Sequence, residues 1–142
     1  MALRFPLPPF AAGVADGPAA LEHMLQHGRG FDWHTDAAKY NEKKRFDLVA
    51  GVFLTDLTDP SQGVLWVQPG SHVAERQARE ALGGRLPPGK LHTSKALGAD
   101  SAVPILGPAG TVVLFDKDLV HAGGPNLSSG IRYALYYRLR LL

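Results

Sequence analysis

The clearest periodicity in this sequence lies in its final segment, Ile131-Arg-Tyr-Ala-Leu-Tyr-Tyr-Arg-Leu-Arg-Leu141. Odd-numbered positions from Tyr133 onward are apolar or aromatic, whereas the even-numbered positions are arginine, alanine or tyrosine. Side chains alternate between the two faces of a strand, so this period of two predicts a β-strand. Three further runs rich in β-branched or aromatic residues are also predicted to be strands: Leu48–Leu54, Val64–Val67 and Thr111–Phe115.

Short elements separated by frequent turns are expected from the 16 glycines and 11 prolines. Two helices are predicted, Ala19–His27 near the start and Ala74–Leu82, the second with Ser71 as its N-cap. Residues 1–13 are expected to form an extended arm, and residues 85–103 a long surface loop. Several short strands without β-α-β alternation favour an all-β sandwich or barrel.

Composition narrows the class of protein. The 142 residues suit a single domain, and 45% hydrophobic with 20% charged residues is ordinary globular usage. A net charge of +2 without runs of like charge gives little support for nucleic-acid binding. No apolar run approaches the roughly 20 residues of a membrane span, and three prolines in the first ten residues exclude a signal peptide. The sequence therefore predicts a soluble cytoplasmic protein that binds neither membranes nor nucleic acid.

Metal chemistry in this chain must use histidine and carboxylate ligands, because there is no cysteine. His34 and Asp36 are two apart, and on a strand both would face one side. His121 begins another short run, and Arg132 follows it by eleven residues across a turn. That turn predicts that the His121 and Arg132 strands are antiparallel neighbours.

Two histidines and one carboxylate form a ligand set that leaves about three positions of an octahedral iron open. An arginine at the head of an apolar strand is costly to bury unless an anion pairs with it. Arg132 offers a planar fork suited to a carboxylate.

Three blocks in this order resemble the phytanoyl-CoA dioxygenase family of Fe(II)/2-oxoglutarate-dependent oxygenases. They are Trp33-His-Thr-Asp36, then Gly63-Val-Leu-Trp-Val-Gln-Pro-Gly-Ser-His72, then Gly110-Thr-Val-Val-Leu-Phe115 through His121 to Arg132. The resemblance implies a mainly β fold, the double-stranded β-helix (a cupin-like jelly roll), with a short N-terminal helix and one helix after the Pro-Gly-Ser-His turn. It implies a single oxygenase domain over residues 1–142, with an arm and helix in 1–30 and the barrel core in 31–142.

The resemblance also assigns roles to residues. His34, Asp36 and His121 would bind Fe(II), and Arg132 would bind the distal carboxylate of the cosubstrate 2-oxoglutarate. With dioxygen, such an enzyme hydroxylates a small organic substrate and releases succinate and CO2. Related halogenases lack the carboxylate ligand, so the presence of Asp36 favours hydroxylation.

Other interpretations remain open from the sequence. One alternative is a non-catalytic cupin-like protein that binds a metal or a small acid. Another is a zinc or manganese hydrolase or isomerase with the same three ligands, although it gives Arg132 no task. A second copy of the chain that completes the sheet is one explanation for the short region before His34, so a homo-oligomer is possible.

Some further side chains have both an ordinary and a functional interpretation. His72 is expected to stabilise its turn, and Trp66 is expected to lie in the core or in the wall of a cavity. Both are also candidates for supporting the metal ligands or contacting the substrate. His23 and His27 have a metal-binding spacing on the first helix, but no third ligand is evident, which favours an exposed helix face. The basic stretch Lys39–Arg45 is expected to be a solvated loop, with attraction of an acidic substrate as the weaker alternative.

Overall fold

The computed structural model describes residues 2–4, 17–27, 30–39, 46–83 and 101–142. The strands are β1 (Ala2–Arg4), β2 (Leu48–Phe53), β3 (Leu65–Val67), β4 (Val103–Ile105), β5 (Val112–Asp116), β6 (His121–Gly123) and β7 (Arg132–Leu139). The helices are α1 (Gly17–Gln26), α2 (Asp36–Lys39) and α3 (Ser71–Ala81). Among these residues, no helix is long and apolar enough to cross a bilayer.

Two antiparallel sheets form the scaffold of the described part of the chain. One has the strand order β1-β7-β2-β5 and the other the order β4-β3-β6. Side chains from both sheets pack together, as Val49 of β2 and Phe115 of β5 do with Leu65 and Val67 of β3. The expected class, a mainly β cupin-like jelly roll with a short N-terminal helix and a helix after residues 69–72, is confirmed.

The last strand alternates as its sequence predicts, and it buries the even-numbered face. Ala134 is fully buried and Arg132 is 3% exposed, whereas Tyr137 on the other face is 52% exposed. The arginine-bearing face therefore points between the sheets, where the burial of a permanent charge requires a function or a partner.

One prediction about strand pairing is wrong. β6 pairs with β3, whereas β7 lies in the other sheet between β1 and β2. The connection between them does not form a hairpin turn, because Asn126 bridges to Gln62 and the Leu127 N–H donates to the Ser61 carbonyl at 2.7 Å. These bonds direct the chain from the three-stranded sheet to the four-stranded sheet. His121 and Arg132 therefore lie on different sheets.

The predicted helix after Pro69 exists, but its cap differs. Gly70, with φ of 82°, is the N-cap residue, and Ser71 is the first residue of the helix. The Ser71 hydroxyl instead accepts a hydrogen bond at 2.8 Å from the Val120 N–H, just before His121. A bond to a residue so distant in the sequence replaces the local cap that the sequence pattern predicts.

The predicted arm and loop contain short strands at their ends. Ala2–Arg4 pairs with β7, and Val103–Ile105 pairs with β3. The remainder of the predicted arm, and residues 85–100 of the predicted loop, lie outside the described residues.

Asp47 holds the residues that follow β7 against the four-stranded sheet. Its carboxylate accepts a hydrogen bond from the Leu141 N–H at 2.9 Å and lies 3.6 Å from the Lys117 ammonium. The hydrogen bond from Leu141, with the charge of Lys117, holds the pKa of Asp47 below its ordinary value.

We expect Asp47→Asn to lower stability at neutral pH and to have no effect in acid. A lowered pKa in the folded state adds stability above the pKa of the unfolded chain, about 3.9, and that stability disappears as pH falls through the folded value. Urea unfolding of both proteins between pH 7 and pH 3 measures this difference. A stability difference that stays constant over that range would contradict a role for the charge.

Candidate metal centre

His34 and His121 face each other across an isolated antiparallel bridge. The His34 N–H donates to the His121 carbonyl at 3.0 Å, and the reverse bond is 2.9 Å. This pairing brings the two ring centroids to 4.4 Å. The bridge thus joins two segments that are far apart in the sequence and sets the imidazoles side by side.

Asp36 joins the histidines from a helix and not from a strand. The chain leaves the bridge after His34, and Asp36 is the first residue of α2. The prediction that His34 and Asp36 lie on one strand is therefore wrong, although the two side chains are close together as that prediction requires. One ligand atom from each of His34, Asp36 and His121 lies within 4.8 Å of the others, and within the described residues this is the one such group of three or more.

Both imidazoles are oriented by backbone carbonyls. His34 Nδ1 is 2.6 Å from the Asp32 carbonyl oxygen, and His121 Nδ1 is 2.9 Å from the Leu119 carbonyl oxygen. A carbonyl only accepts, so each Nδ1 carries the proton and donates it. Each Nε2 is then left as the basic nitrogen available to a metal, which is the usual arrangement behind metal-binding histidines.

A cavity of about 290 Å³ opens in front of these three side chains. Its apolar wall is formed by Val49, Leu65 and Phe115. The polar groups are the three candidate ligands with Arg132, Tyr136 and Arg138 of β7. The two sheets therefore supply opposite sides of one small site.

Arg132 is a buried cation at this cavity. Its Nη2 donates to the Tyr136 hydroxyl, while its buried Nε has no hydrogen-bond partner among the described residues. Gly51 allows Tyr136 to adopt its position, because a Cβ there would lie 2.9 Å from the tyrosine ring. An unpartnered donor on a buried guanidinium fits a bound carboxylate such as that of 2-oxoglutarate.

The donor set also fits Fe(II). Two neutral imidazole nitrogens and one carboxylate oxygen are the ligands of non-haem iron oxygenase sites. The residues present are thus chemically suited both to the metal and to the cosubstrate that the sequence resemblance implies.

The turn before His121 is held by helix α3. Arg79 donates through both Nη atoms to the Asp118 carboxylate, each at 2.5 Å, and the Asp118 side chain is 1% exposed. Arg76 pairs with Asp116, which raises the pKa of the arginine. These contacts, together with the bond from Val120 to Ser71, fix the backbone that leads into His121.

Sequence reasoning missed this pair of contacts. The alternating charges of residues 75–80 are typical of a solvated helix face, yet Glu75 is buried and Arg79 reaches Asp118. The available signal was the acidic pair Asp116 and Asp118 just before His121, opposite two arginines spaced one helical turn apart.

His72 and Trp66 do not line the cavity. Trp66 packs edge-to-face on Phe31 in the apolar cluster that includes Leu21 of α1. Leu65 beside it lines the cavity, so the indole points to the opposite face of β3. His72 is half-buried on α3. A role for either side chain in supporting the ligands or touching substrate stays a prediction.

The remaining candidates do not join the site. His23 and His27 stack with ring centroids 4.2 Å apart, and His27 Nδ1 bonds to the His23 carbonyl. They have no third ligand among the described residues. The basic residues 43–45 lie outside the described residues, as does the side chain of Lys39.

The scaffold is that of a cupin-like protein, and the cavity holds a candidate 2-His-1-carboxylate site. The family model of phytanoyl-CoA dioxygenase (PhyH) matches residues 21–134. The chain belongs to this family of Fe(II)/2-oxoglutarate-dependent oxygenases, as the sequence resemblance predicted. No curated protein matches it.

Solved structures with the same fold include EvdO2 from Micromonospora carbonacea var. aurantiaca complexed with 2-oxoglutarate. That protein is 25% identical, with a TM-score of 0.51 over 75% of this chain and 42% of that chain. AviO1 from Streptomyces viridochromogenes Tue57 is 29% identical, with a TM-score of 0.50 over 76% and 42% of the two chains. EctD from S. alaskensis with 2-oxoglutarate and 5-hydroxyectoine is 26% identical, with a TM-score of 0.50 over 77% and 38%. This chain therefore spans less than half the length of these proteins.

Proposed function

We propose that the chain forms the metal-binding core of an Fe(II)- and 2-oxoglutarate-dependent dioxygenase that hydroxylates a small organic substrate. The observation that carries this proposal is the presence of His34, Asp36, His121 and the buried Arg132 around one cavity. A zinc hydrolase or isomerase would use the three ligands and leave Arg132 without a task. The relatives solved with 2-oxoglutarate support the choice of cosubstrate.

Each side chain then has a defined task. His34, Asp36 and His121 hold iron, which supplies dioxygen activation coupled to decarboxylation of 2-oxoglutarate to succinate and CO2. Arg132 receives the distal carboxylate of the cosubstrate, with Tyr136 holding the guanidinium in place. The apolar wall excludes water from the reacting groups. Because Asp36 supplies the carboxylate ligand, we propose hydroxylation and not halogenation, in a cytoplasmic enzyme.

The decisive experiment adds Fe(II) and 2-oxoglutarate to the protein without oxygen. We expect the visible charge-transfer absorption of the iron–cosubstrate complex, followed by succinate when oxygen is admitted. Absence of the absorption would overturn the proposal at its first step. Absorption without succinate, whichever candidate substrate is added, would favour the non-catalytic metal- and acid-binding alternative.

Replacement of Arg132 with glutamine is expected to weaken 2-oxoglutarate binding by about 10- to 100-fold, the effect of losing a charge-assisted hydrogen bond worth about 1.5–3 kcal/mol. Fe(II) affinity should remain unchanged, because Arg132 is not among the candidate ligands. Anaerobic titration of the visible absorption measures the first quantity, and calorimetry with the metal alone measures the second.

Arg140→Gln is the matched control for that substitution, since Arg140 is exposed and does not line the cavity. Equal weakening in both variants would show a general charge effect. Loss of metal and cosubstrate together in Arg132→Gln would instead indicate that Arg132 serves mainly to maintain the fold.

A further inference from the structure

Tyr136 lines the cavity beside Arg132, and its hydroxyl still has a proton to donate. Arg132 Nη2 donates to the tyrosine oxygen, so this oxygen is the acceptor in that bond. A guanidinium accepts no hydrogen bond, so the phenolic proton must point elsewhere. Within the part of the chain that the structure describes, no protein group accepts it. The hydroxyl therefore offers one donor at the edge of the buried cation.

The geometry of β7 brings the two polar ends together. Arg132 and Tyr136 are four residues apart on the face between the sheets, with Cα atoms about 13 Å apart. Ala134 lies between them on that face, where it is fully buried and has no atoms beyond Cβ. The guanidinium carbon of Arg132 lies 5.7 Å from the centre of the Tyr136 ring. The two side chains therefore extend toward each other over Ala134.

Gly51 determines where the tyrosine ring lies. It is the partner of Tyr136 on the neighbouring strand β2, and a Cβ at this position would lie 2.9 Å from Cε1 and 3.2 Å from Cδ1 of the ring. Carbon atoms pack at about 3.5–4.0 Å, so an alanine here would displace the ring. The glycine lets the ring lie against the backbone of β2 with its hydroxyl at Arg132.

A carboxylate is the ligand group that these donors fit. The buried Nε of Arg132 has no partner among the described residues, and the two oxygens of a carboxylate accept several hydrogen bonds. The charge of the guanidinium polarises the hydroxyl to which it donates, which makes that hydroxyl a stronger donor. We infer that the Tyr136 hydroxyl donates directly to the carboxylate that Arg132 binds, and that Gly51 positions it. This inference rests on the proposed function for the ligand, 2-oxoglutarate, and adds a second residue that recognises its distal carboxylate.

The test compares 2-oxoglutarate with 2-oxovalerate, in which a methyl group replaces the distal carboxylate. Each is titrated into the Fe(II)-loaded protein without oxygen, and the visible absorption measures its affinity. We expect Tyr136→Phe to weaken 2-oxoglutarate binding by about 10-fold, the lower end for a hydrogen bond to a charged group, and to leave 2-oxovalerate binding unchanged. Gly51→Ala keeps the hydroxyl but displaces the ring, so it should weaken 2-oxoglutarate binding in the same selective way. Tyr137→Phe is the matched control on the exposed face of β7 and should change neither affinity.

A double-mutant cycle separates direct donation from mere support of Arg132. If Tyr136 acted only by holding the guanidinium, Tyr136→Phe would have no effect once Arg132 is replaced with glutamine. Because the hydroxyl contacts the carboxylate itself, we expect Tyr136→Phe to weaken 2-oxoglutarate binding in the Arg132→Gln protein as well, by about 3-fold or more.

Any of four results would overturn the inference. They are an unchanged 2-oxoglutarate affinity in Tyr136→Phe, an equal loss for 2-oxovalerate, an equal loss in Tyr137→Phe, or no loss in the Arg132→Gln background. Normal 2-oxoglutarate binding in Gly51→Ala would overturn the role given to Gly51. If the visible absorption never forms, the proposed function fails separately. Calorimetry of glutarate with the metal-free protein and its Tyr136→Phe variant then decides whether the hydroxyl binds a carboxylate.

Discussion

Replacement of Asp36 with alanine is expected to weaken Fe(II) binding by more than about 100-fold. Asp36 is the one anionic member of the candidate group of three ligands, and its removal leaves two imidazoles. Loss of residues that only support metal ligands already costs about 10- to 100-fold, so loss of a ligand should cost more. Anaerobic calorimetry with Fe(II) measures the affinity, and the visible absorption with 2-oxoglutarate should disappear at metal concentrations that saturate the parent protein.

Asp32→Ala is the matched control for this substitution. Asp32 lies in the same segment, and its side chain is exposed. Its backbone carbonyl, which orients His34, is retained when the side chain is replaced. Nearly normal Fe(II) affinity in Asp36→Ala, or an equal loss in Asp32→Ala, would show that the Asp36 carboxylate is not a ligand.

A loss of metal in Asp36→Ala must be separated from a loss of fold. The buried carboxylate of Asp36 costs free energy to desolvate, so its removal should not destabilise the chain by itself. We therefore expect the far-ultraviolet circular dichroism and the urea midpoint of the metal-free variant to match those of the parent protein.

Features encoded by neighbouring residues could be predicted from the sequence. The period of two in β7 and the apolar run of β2 predict strands, because alternation and β-branched residues are local features. The pattern of β7 does not show which face is buried, since its even-numbered face lies between the sheets and the apolar Tyr137 is exposed. The spacing of His34 and Asp36 keeps two ligands close whether the chain is a strand or turns into a helix. His121 and Arg132 were identified as site residues through the order and spacing of the family's motifs.

Features that depend on distant partners could not be predicted in this way. The sequence pattern predicts that β6 and β7 are neighbours. Hydrogen bonds between residues 126–127 and residues 61–62 instead direct the two strands into different sheets. The sequence pattern favours the Ser71 hydroxyl as the N-cap of its own helix, but this hydroxyl accepts a hydrogen bond from the distant Val120 N–H. In both cases a tertiary hydrogen bond replaces the local bond that the pattern favours, and no local pattern shows which distant donor is available.

The second large effect is expected where α3 meets the turn before His121. Arg79→Ala should lower the free energy of unfolding by about 3 kcal/mol, the lower end of the range for breaking a buried ion pair. The Asp118 carboxylate would remain buried and, within the described residues, its ion pairing would be reduced to the longer contact of 3.5 Å to Arg76 Nε. Urea unfolding at neutral pH measures the change.

Arg76→Ala is the control, because it removes the same chemical group one helical turn away. The Arg76 side chain is 45% exposed and pairs with the partly exposed Asp116. Its removal also deletes the 3.5 Å contact to Asp118 but leaves both shorter bonds from Arg79 in place. Exposed ion pairs contribute about 0–1 kcal/mol, so this variant should lose no more than that. Equal losses of unfolding free energy in the two variants would mean that the burial of Asp118 does not determine the size of the destabilisation.

The same pair of variants tests whether α3 acts on the metal centre. The Asp118 turn carries Leu119, whose carbonyl oxygen holds the Nδ1 proton of His121. Loosening this turn releases the imidazole from its orientation, so Arg79→Ala should bind Fe(II) about 10-fold more weakly, as expected when a group supporting a metal ligand is lost. Arg76→Ala should bind the metal normally. If Arg79→Ala lost stability and kept its full Fe(II) affinity, the ion pair would stabilise the fold without positioning His121.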